Sequence, residues 1–192
     1  MDFMLTEEQR QLEDTVRRFV AKDYDFEHRR ALRNGPEGWS RETWRQLADL
    51  GVLALNVPED QGGLGYGPVE TMLVMQAFGA GLLLEPYLSS AVIATALLRE
   101  AAPSGDLLPA LAAGEKIAVL AHFEPESRWE AEQVSATAHR YGDGWVLRGR
   151  KGVVFHAAAA DVLLVSARTG GEAGPVGLYA VPCDTPGLAL VP

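Results

Sequence analysis

Ala118-Val-Leu-Ala-His-Phe-Glu-Pro125 and Gly149-Arg-Lys-Gly-Val-Val-Phe155, the latter followed by Ala160-Asp-Val-Leu-Leu-Val-Ser-Ala-Arg168, decide how this chain folds. Each is a short apolar run of strand length that ends at a polar or turn residue. Between them, Tyr141-Gly-Asp-Gly-Trp145 reads as a tight hairpin, with positive φ expected at Asp143-Gly144. Further strands are expected over 133–140, 177–181 and 188–191. From Ile117 onward the chain therefore predicts strands, with Val153 to Phe155 among them.

Upstream the period changes from two to 3.6. Thr6 with Gln9 forms a capping box. Leu12, Val16, Phe19 and Val20 then recur on one helical face, ending near Lys22. Tyr24 to Arg33 reads as a charged connector. Ser40 caps a second helix with Trp44, Leu47 and Ala48 inward, and Gly51 suits its left-handed end. Asn56 to Gly67 carries Pro58, Gly62, Gly63, Gly65 and Gly67, and so predicts a shaped loop. Pro68 opens a third helix, with Val69, Met72, Leu73 and Gln76 on one face. A fourth starts at Ser89 or Ser90 and is ended by Pro103. A short last one holds Leu107, Leu108 and Leu111, stopped by Gly114. The expected fold class is α+β: an all-α helical domain over 1–113, then a partial antiparallel β-barrel or sandwich over 114–192.

Composition narrows the function. The 192 residues carry a formal charge of −9, which argues against nucleic acid, because phosphate binding needs clustered Lys and Arg. The single cysteine, Cys183, excludes a disulfide or a cysteine zinc cage within one chain. No basic-then-apolar leader opens the chain, and no uncharged apolar run reaches the length of a membrane span. A soluble, cytoplasmic protein is expected, with no membrane partner. His28, His122, His139 and His156 are scattered, so no metal is expected. Gly79-Ala-Gly81 has Leu84 where a dinucleotide fingerprint needs glycine, and it follows a helix rather than a strand. No Gly-x-Ser-x-Gly elbow is present. What remains is the pair of strand ends near His122, Phe123, Phe155 and His156. Apolar walls with backbone N–H groups there suit a large planar, mostly apolar ring with a polar edge, such as an isoalloxazine.

The whole-chain pattern resembles the acyl-CoA dehydrogenase family. Leu5-Thr-Glu-Glu-Gln9, Leu50-Gly-Val-Leu53 and Val57-Pro-Glu-Asp-Gln-Gly-Gly-Leu-Gly65 resemble its N-terminal helical domain. Glu124-Pro125, Asp143-Gly-Trp-Val-Leu-Arg-Gly-Arg-Lys151 and Ala160-Asp161 resemble its middle β domain. Other stretches, among them Asp25-Phe-Glu-His-Arg-Arg30 and Leu84-Glu-Pro-Tyr-Leu88, resemble the small subunit of two-subunit members that take a dicarboxylic acyl-CoA.

The resemblance implies FAD as cofactor and an acyl-CoA thioester as substrate. It implies as partners a homologous large subunit or a second copy, and an electron-transfer flavoprotein. It implies flavin contacts at Leu120, His122, Phe123, Ser127, Val153 and Phe155, and a thioester entry at Ser127 or Trp129. It implies no catalytic residue here, because the family's base lies in a C-terminal helical bundle and members are about twice as long. Three departures stand out. Phe123 replaces the threonine before Glu-Pro, Glu126-Ser-Arg-Trp-Glu130 replaces a small-residue loop, and Phe155 replaces a second threonine. Each removes a hydrogen bond worth roughly 1 kcal/mol net. A non-catalytic subunit that completes a partner's site is the alternative.

Overall fold

The computed structural model describes residues 4–101, 105–127, 130–171 and 173–191. They form two compact units, 1–115 and 116–192.

The first unit is helical. Helix α1, Glu7–Asp23, starts at the expected capping box: the Gln9 N–H donates to Thr6 Oγ1 at 3.2 Å, and the Thr6 N–H donates to Gln9 Oε1 at 2.9 Å. The Gln9 amide also donates to Glu70 at 2.7 Å, which ties this end to helix α4, Pro68–Gly81. The two helices pack so closely that a Cβ on Gly81 would meet Val20 at 2.6 Å. That contact fixes which face of α4 turns inward. Leu73, Val74, Ala77 and Phe78 are buried, while Val69 and Met72, grouped with Leu73 on one face in the sequence, are exposed.

The expected connector after Tyr24 is instead helix α2, Phe26–Asn34. Asp25 caps it by accepting from the His28 N–H at 2.8 Å, Glu27 lies in its first turn and Arg33 in its last. None of its residues is buried. It is held by its cap and end charges and by the Arg29 side chain, whose Nε donates to Leu82 O at 2.7 Å, and no apolar period marks it in the sequence. Helix α3, Arg41–Asp49, has Ser40 as its cap and Gly51 at φ +76°, as expected. A π-helical turn, Leu88–Ala94, runs into α5, Thr95–Ala101; α6 is Leu107–Ala112. Pro103 lies outside the described residues. Trp44, Leu47, Leu53, Tyr87, Leu108 and Leu111 form the interior, each under 3% exposed.

Glu85 is a buried carboxylate, 4% exposed, inside this unit. Its Oε1 accepts from the Ser40 N–H at 3.1 Å, and its Oε2 has no hydrogen-bond partner among the described residues. Burial pushes the carboxyl up; hydrogen bonds, including that from Ser40, oppose this without cancelling it. A raised folded value means that its contribution to stability is full below the ordinary carboxylate pKa and is lost as pH rises through the folded value. Glu85→Gln, which mimics the protonated acid, should therefore stabilise the unit at pH 8 by about 1–2 kcal/mol and be near neutral at pH 4. Urea midpoints at the two pH values check this; equal effects at both would contradict it.

The second unit is a five-stranded mixed sheet. Strands are β1, Ala118–Ala121; β2, Thr137–Tyr141; β3, Gly144–Arg148; β4, Val162–Thr169; and β5, Val176–Pro182. Long β4 is central. β5 lies antiparallel along one edge, from Val162 opposite Pro182 to Arg168 opposite Val176. On the other edge β1 runs parallel to Val162–Val165 and β2 parallel to Arg168–Thr169. The sheet is thus not purely antiparallel: β1 and β4 point the same way because the intervening chain crosses back before β4 begins. The β2–β3 hairpin turns through Gly142-Asp143, with positive φ at Gly142 rather than at Asp143-Gly144. Glycine in the first central position is the II′ arrangement, whose twist suits antiparallel strands. Neither Val153–Phe155 nor Leu188–Val191 is a strand.

Candidate functional site

β1 runs out through His122 and Phe123 into a turn at Glu124–Ser127. The Ser127 N–H and hydroxyl both donate to Glu124 O at 3.0 Å, and the hydroxyl accepts from the Glu124 N–H at 3.1 Å. Ser127 is 2% exposed, so its hydroxyl belongs to the turn and not to an open edge. Trp129 lies outside the described residues.

The second segment, after β3, passes alongside this exit. The Gly152 N–H donates to Phe123 O at 2.8 Å. Val153 then adopts φ +51° and His156 φ +58°. A β-branched residue in the left-handed region costs on the order of 1–3 kcal/mol and persists only where its surroundings over-determine it. Val153 and Phe155 are 67% and 65% exposed. Among the described residues, the N–H groups of Val153, Val154 and Phe155 carry no hydrogen bond. Val154 instead lines a groove of about 700 Å³ with Leu147, Leu163, Val165, Leu178 and Leu188.

Beneath both segments lies a polar cluster. Lys151 Nζ donates to Glu124 Oε1 at 2.6 Å, to His122 O at 3.0 Å and to Ser166 Oγ at 3.0 Å. The Glu124 carboxylate also accepts from the Ser135 N–H at 2.8 Å and the Ala136 N–H at 3.0 Å. Burial alone would raise the Glu124 carboxyl, but the Lys151 hydrogen bond, the two amides and the Lys151 charge hold it below the ordinary range. Burial lowers the Lys151 ammonium, with Glu124 opposing. Burial and the Lys151 charge also lower the His122 imidazole. Its Nδ1 lies 3.0 Å from Ser166 Oγ. Ser166 Oγ accepts from Lys151 and also lies 3.5 Å from His122 O.

Of the residues expected at a ligand edge, the structure brings together His122, Phe123, Val153 and Phe155 on the two joined segments. Leu120 is half-buried within β1, and Ser127 is turned inward. Sequence reasoning expected backbone N–H groups near Phe155 but did not single out the Glu124–Lys151 pair. The adjoining Glu124-Pro125 and Gly149-Arg-Lys151 were the available signals. Among the described residues no group of three or more His, Cys, Asp or Glu could hold a metal ion, and no helix is long and apolar enough to cross a membrane.

The profile described as acyl-CoA dehydrogenase, N-terminal domain, matches residues 6–115, and the chain belongs to the acyl-CoA dehydrogenase family. It is 34% identical over 194 residues to the acyl-CoA dehydrogenase FadE27 of Mycobacterium tuberculosis, covering 99% of this chain and 50% of that one. Among solved structures, the ChsE4-ChsE5 complex from M. tuberculosis matches with TM-score 0.82 and 31% identity, over 100% of this chain and 51% of that one. A glutaryl-CoA dehydrogenase from Mycobacterium smegmatis, solved in complex with FADH2, matches with TM-score 0.82 and 25% identity, over 95% and 47%. The chain spans about half the length of the relatives it matches.

Proposed function

We propose that this chain supplies the helical and middle β portions of an FAD-dependent acyl-CoA dehydrogenase, working within a longer or heteromeric enzyme on an acyl-CoA thioester. The observation that carries this is the Val153–Phe155 loop pinned to the β1 exit, where exposed apolar side chains flank unpaired amides. These residues fit a flavin through backbone donors rather than hydroxyls, since phenylalanine stands at 123 and 155. When bound, FAD supplies the acceptor for hydride leaving the acyl β-carbon. Phe123, Val153 and Phe155 would press on the apolar ring and exclude water. The N–H groups of residues 153–155 would hold its polar edge and fix its orientation.

No carboxylate of this chain is assigned as the base that removes the α-proton. Half-length coverage and the uncovered 700 Å³ groove beside β5 support a further protein segment or a homologous large subunit that completes the enzyme. An electron-transfer flavoprotein is the proposed electron acceptor, and the cytoplasm the proposed site of action.

A second reading has its own support. The polar atoms of Ser127, Lys151 and Ser166 are all engaged internally, so the chain could complete a partner's flavin site while holding none itself. Co-production with a full-length homologous subunit separates the two. Acyl-CoA-dependent reduction of a dye, lost when this chain is omitted, is expected. Bound flavin in the chain alone favours the first reading, and flavin only in the mixed sample favours the second. Unchanged turnover without this chain would contradict both.

A further inference from the structure

The Lys151 side chain is 9% exposed and that of Glu124 5%. The ammonium has three hydrogens and meets three acceptors, on the β1 exit, the Glu124 turn and β4. The carboxylate is equally satisfied, by Lys151 and two amides that lead into β2. Replacing a buried ion pair by apolar side chains of similar volume is often neutral or stabilising. Stability alone is therefore a weak reason for this pair, and its geometry suggests a stronger one. The residue after Lys151 is Gly152, which is bonded to Phe123 O, and the next is strained Val153. On the far side the chain closes into a local turn, with the Ala157 N–H donating to Val154 O at 3.3 Å and the Ala159 N–H to His156 O at 3.0 Å. The left-handed turn at Val153 thus lies between a flank pinned to the β1 exit and a local turn.

We infer that Lys151 is a positioning residue: held by Glu124, His122 O and Ser166, it seats the Gly152–Phe155 backbone against the β1 exit and so aims the three free N–H groups of residues 153–155 at the ligand edge. The ligand part of this inference rests on the flavin reading above; the seating of the loop does not.

The test uses the 192-residue chain labelled with nitrogen-15. Lys151→Met removes the ammonium, while Glu124 keeps both backbone donors and can take up a proton. Should that variant not fold, Lys151→Arg keeps the charge, but its planar fork cannot meet the same three acceptors. Val119→Ala, buried in β1 and bonded to no residue of the loop by its side chain, is the control for lost stability. The readouts are hydrogen exchange at the Gly152 N–H, the amide resonances of residues 152–155, and FAD affinity from quenching of flavin fluorescence. For the Lys151 variant, Gly152 protection should fall at least tenfold, the loop resonances should move, and FAD affinity should fall at least tenfold. Val119→Ala should leave the loop resonances and FAD affinity unchanged, whatever its melting temperature, and should lower Gly152 protection no further than its loss of global stability accounts for.

Unchanged Gly152 protection in the Lys151 variant would overturn the inference, as would lost protection with unchanged FAD affinity. If wild type takes up no FAD while Gly152 still responds to the variant, the seating role is supported and the flavin reading fails.

Discussion

Gly63→Ala is expected to lower the stability of the helical unit by about 3 kcal/mol or more, from overpacking against atoms that cannot move aside. A Cβ at Gly63 would overlap Val57 O and Val57 C outright and meet Val57 Cβ at 2.5 Å. Two of these three are backbone atoms, and the loop around them is closed by its own hydrogen bonds. The Gly63 N–H donates to Pro58 O at 3.0 Å, the Gly65 N–H to Val57 O at 2.9 Å, and the Tyr66 N–H to Leu55 O at 2.7 Å. Relief requires opening that set, and buried Val57 and Leu55 would be pulled from the interior with it. Gly67→Ala is the control, because its Cβ would meet only the flexible end of Glu70 at 3.6 Å and its φ of −108° is ordinary. Urea unfolding followed by far-ultraviolet dichroism reads both. Equal midpoints for the two variants would contradict the account of the loop.

Glu124→Gln should cost the β unit about 3–5 kcal/mol, the range for breaking a buried pair by removing one partner. A carboxamide has one oxygen where the carboxylate has two. Its NH2 would face either the Lys151 ammonium or one of the Ser135 and Ala136 N–H groups, donor against donor. The variant should also change the acid response. The folded carboxyl is held below its ordinary value, so the stability it contributes is fully present above about pH 4.5 and is lost as pH falls through the folded value. Wild type should lose stability from that source on acidification; the variant should lack that component and show a flatter profile. Denaturation midpoints of the two proteins between pH 7 and pH 3 test this. Parallel profiles would show that the carboxylate does not hold the unit together in the way described.

These two sites also mark what could be read from the sequence. The loop from Asn56 to Gly67 was legible because glycine and proline write backbone geometry directly into the chain. Caps at Thr6 and Ser40 were legible for the same reason: their partners lie three residues away. Helix α2 was missed because nothing on it is buried, and only its end residues betray it. The buried face of α4 was not legible from its period, since its composition is apolar nearly all round; Leu73 is buried, while Val69 and Met72, grouped with it, are exposed. Val153 to Phe155 looked like a strand because it is apolar and β-branched. In the structure those side chains are exposed and Val153 is left-handed, a conformation imposed by contacts distant in sequence. Glu124 and Lys151 stand 27 residues apart, and no local period or cap connects them. The resemblance of the surrounding motifs drew attention to both segments, while the ion pair that joins them became apparent only in three dimensions.

The central claim is that the β1 exit and the 152–155 loop form one edge of a flavin site. Titration of FAD into the purified chain, followed by the visible flavin spectrum and by the amide resonances of residues 123 and 152–155, tests it most directly. Saturable uptake of one flavin per chain, with those resonances moving at the same midpoint, is the predicted result. No uptake, or uptake that leaves those amides unmoved, would contradict it.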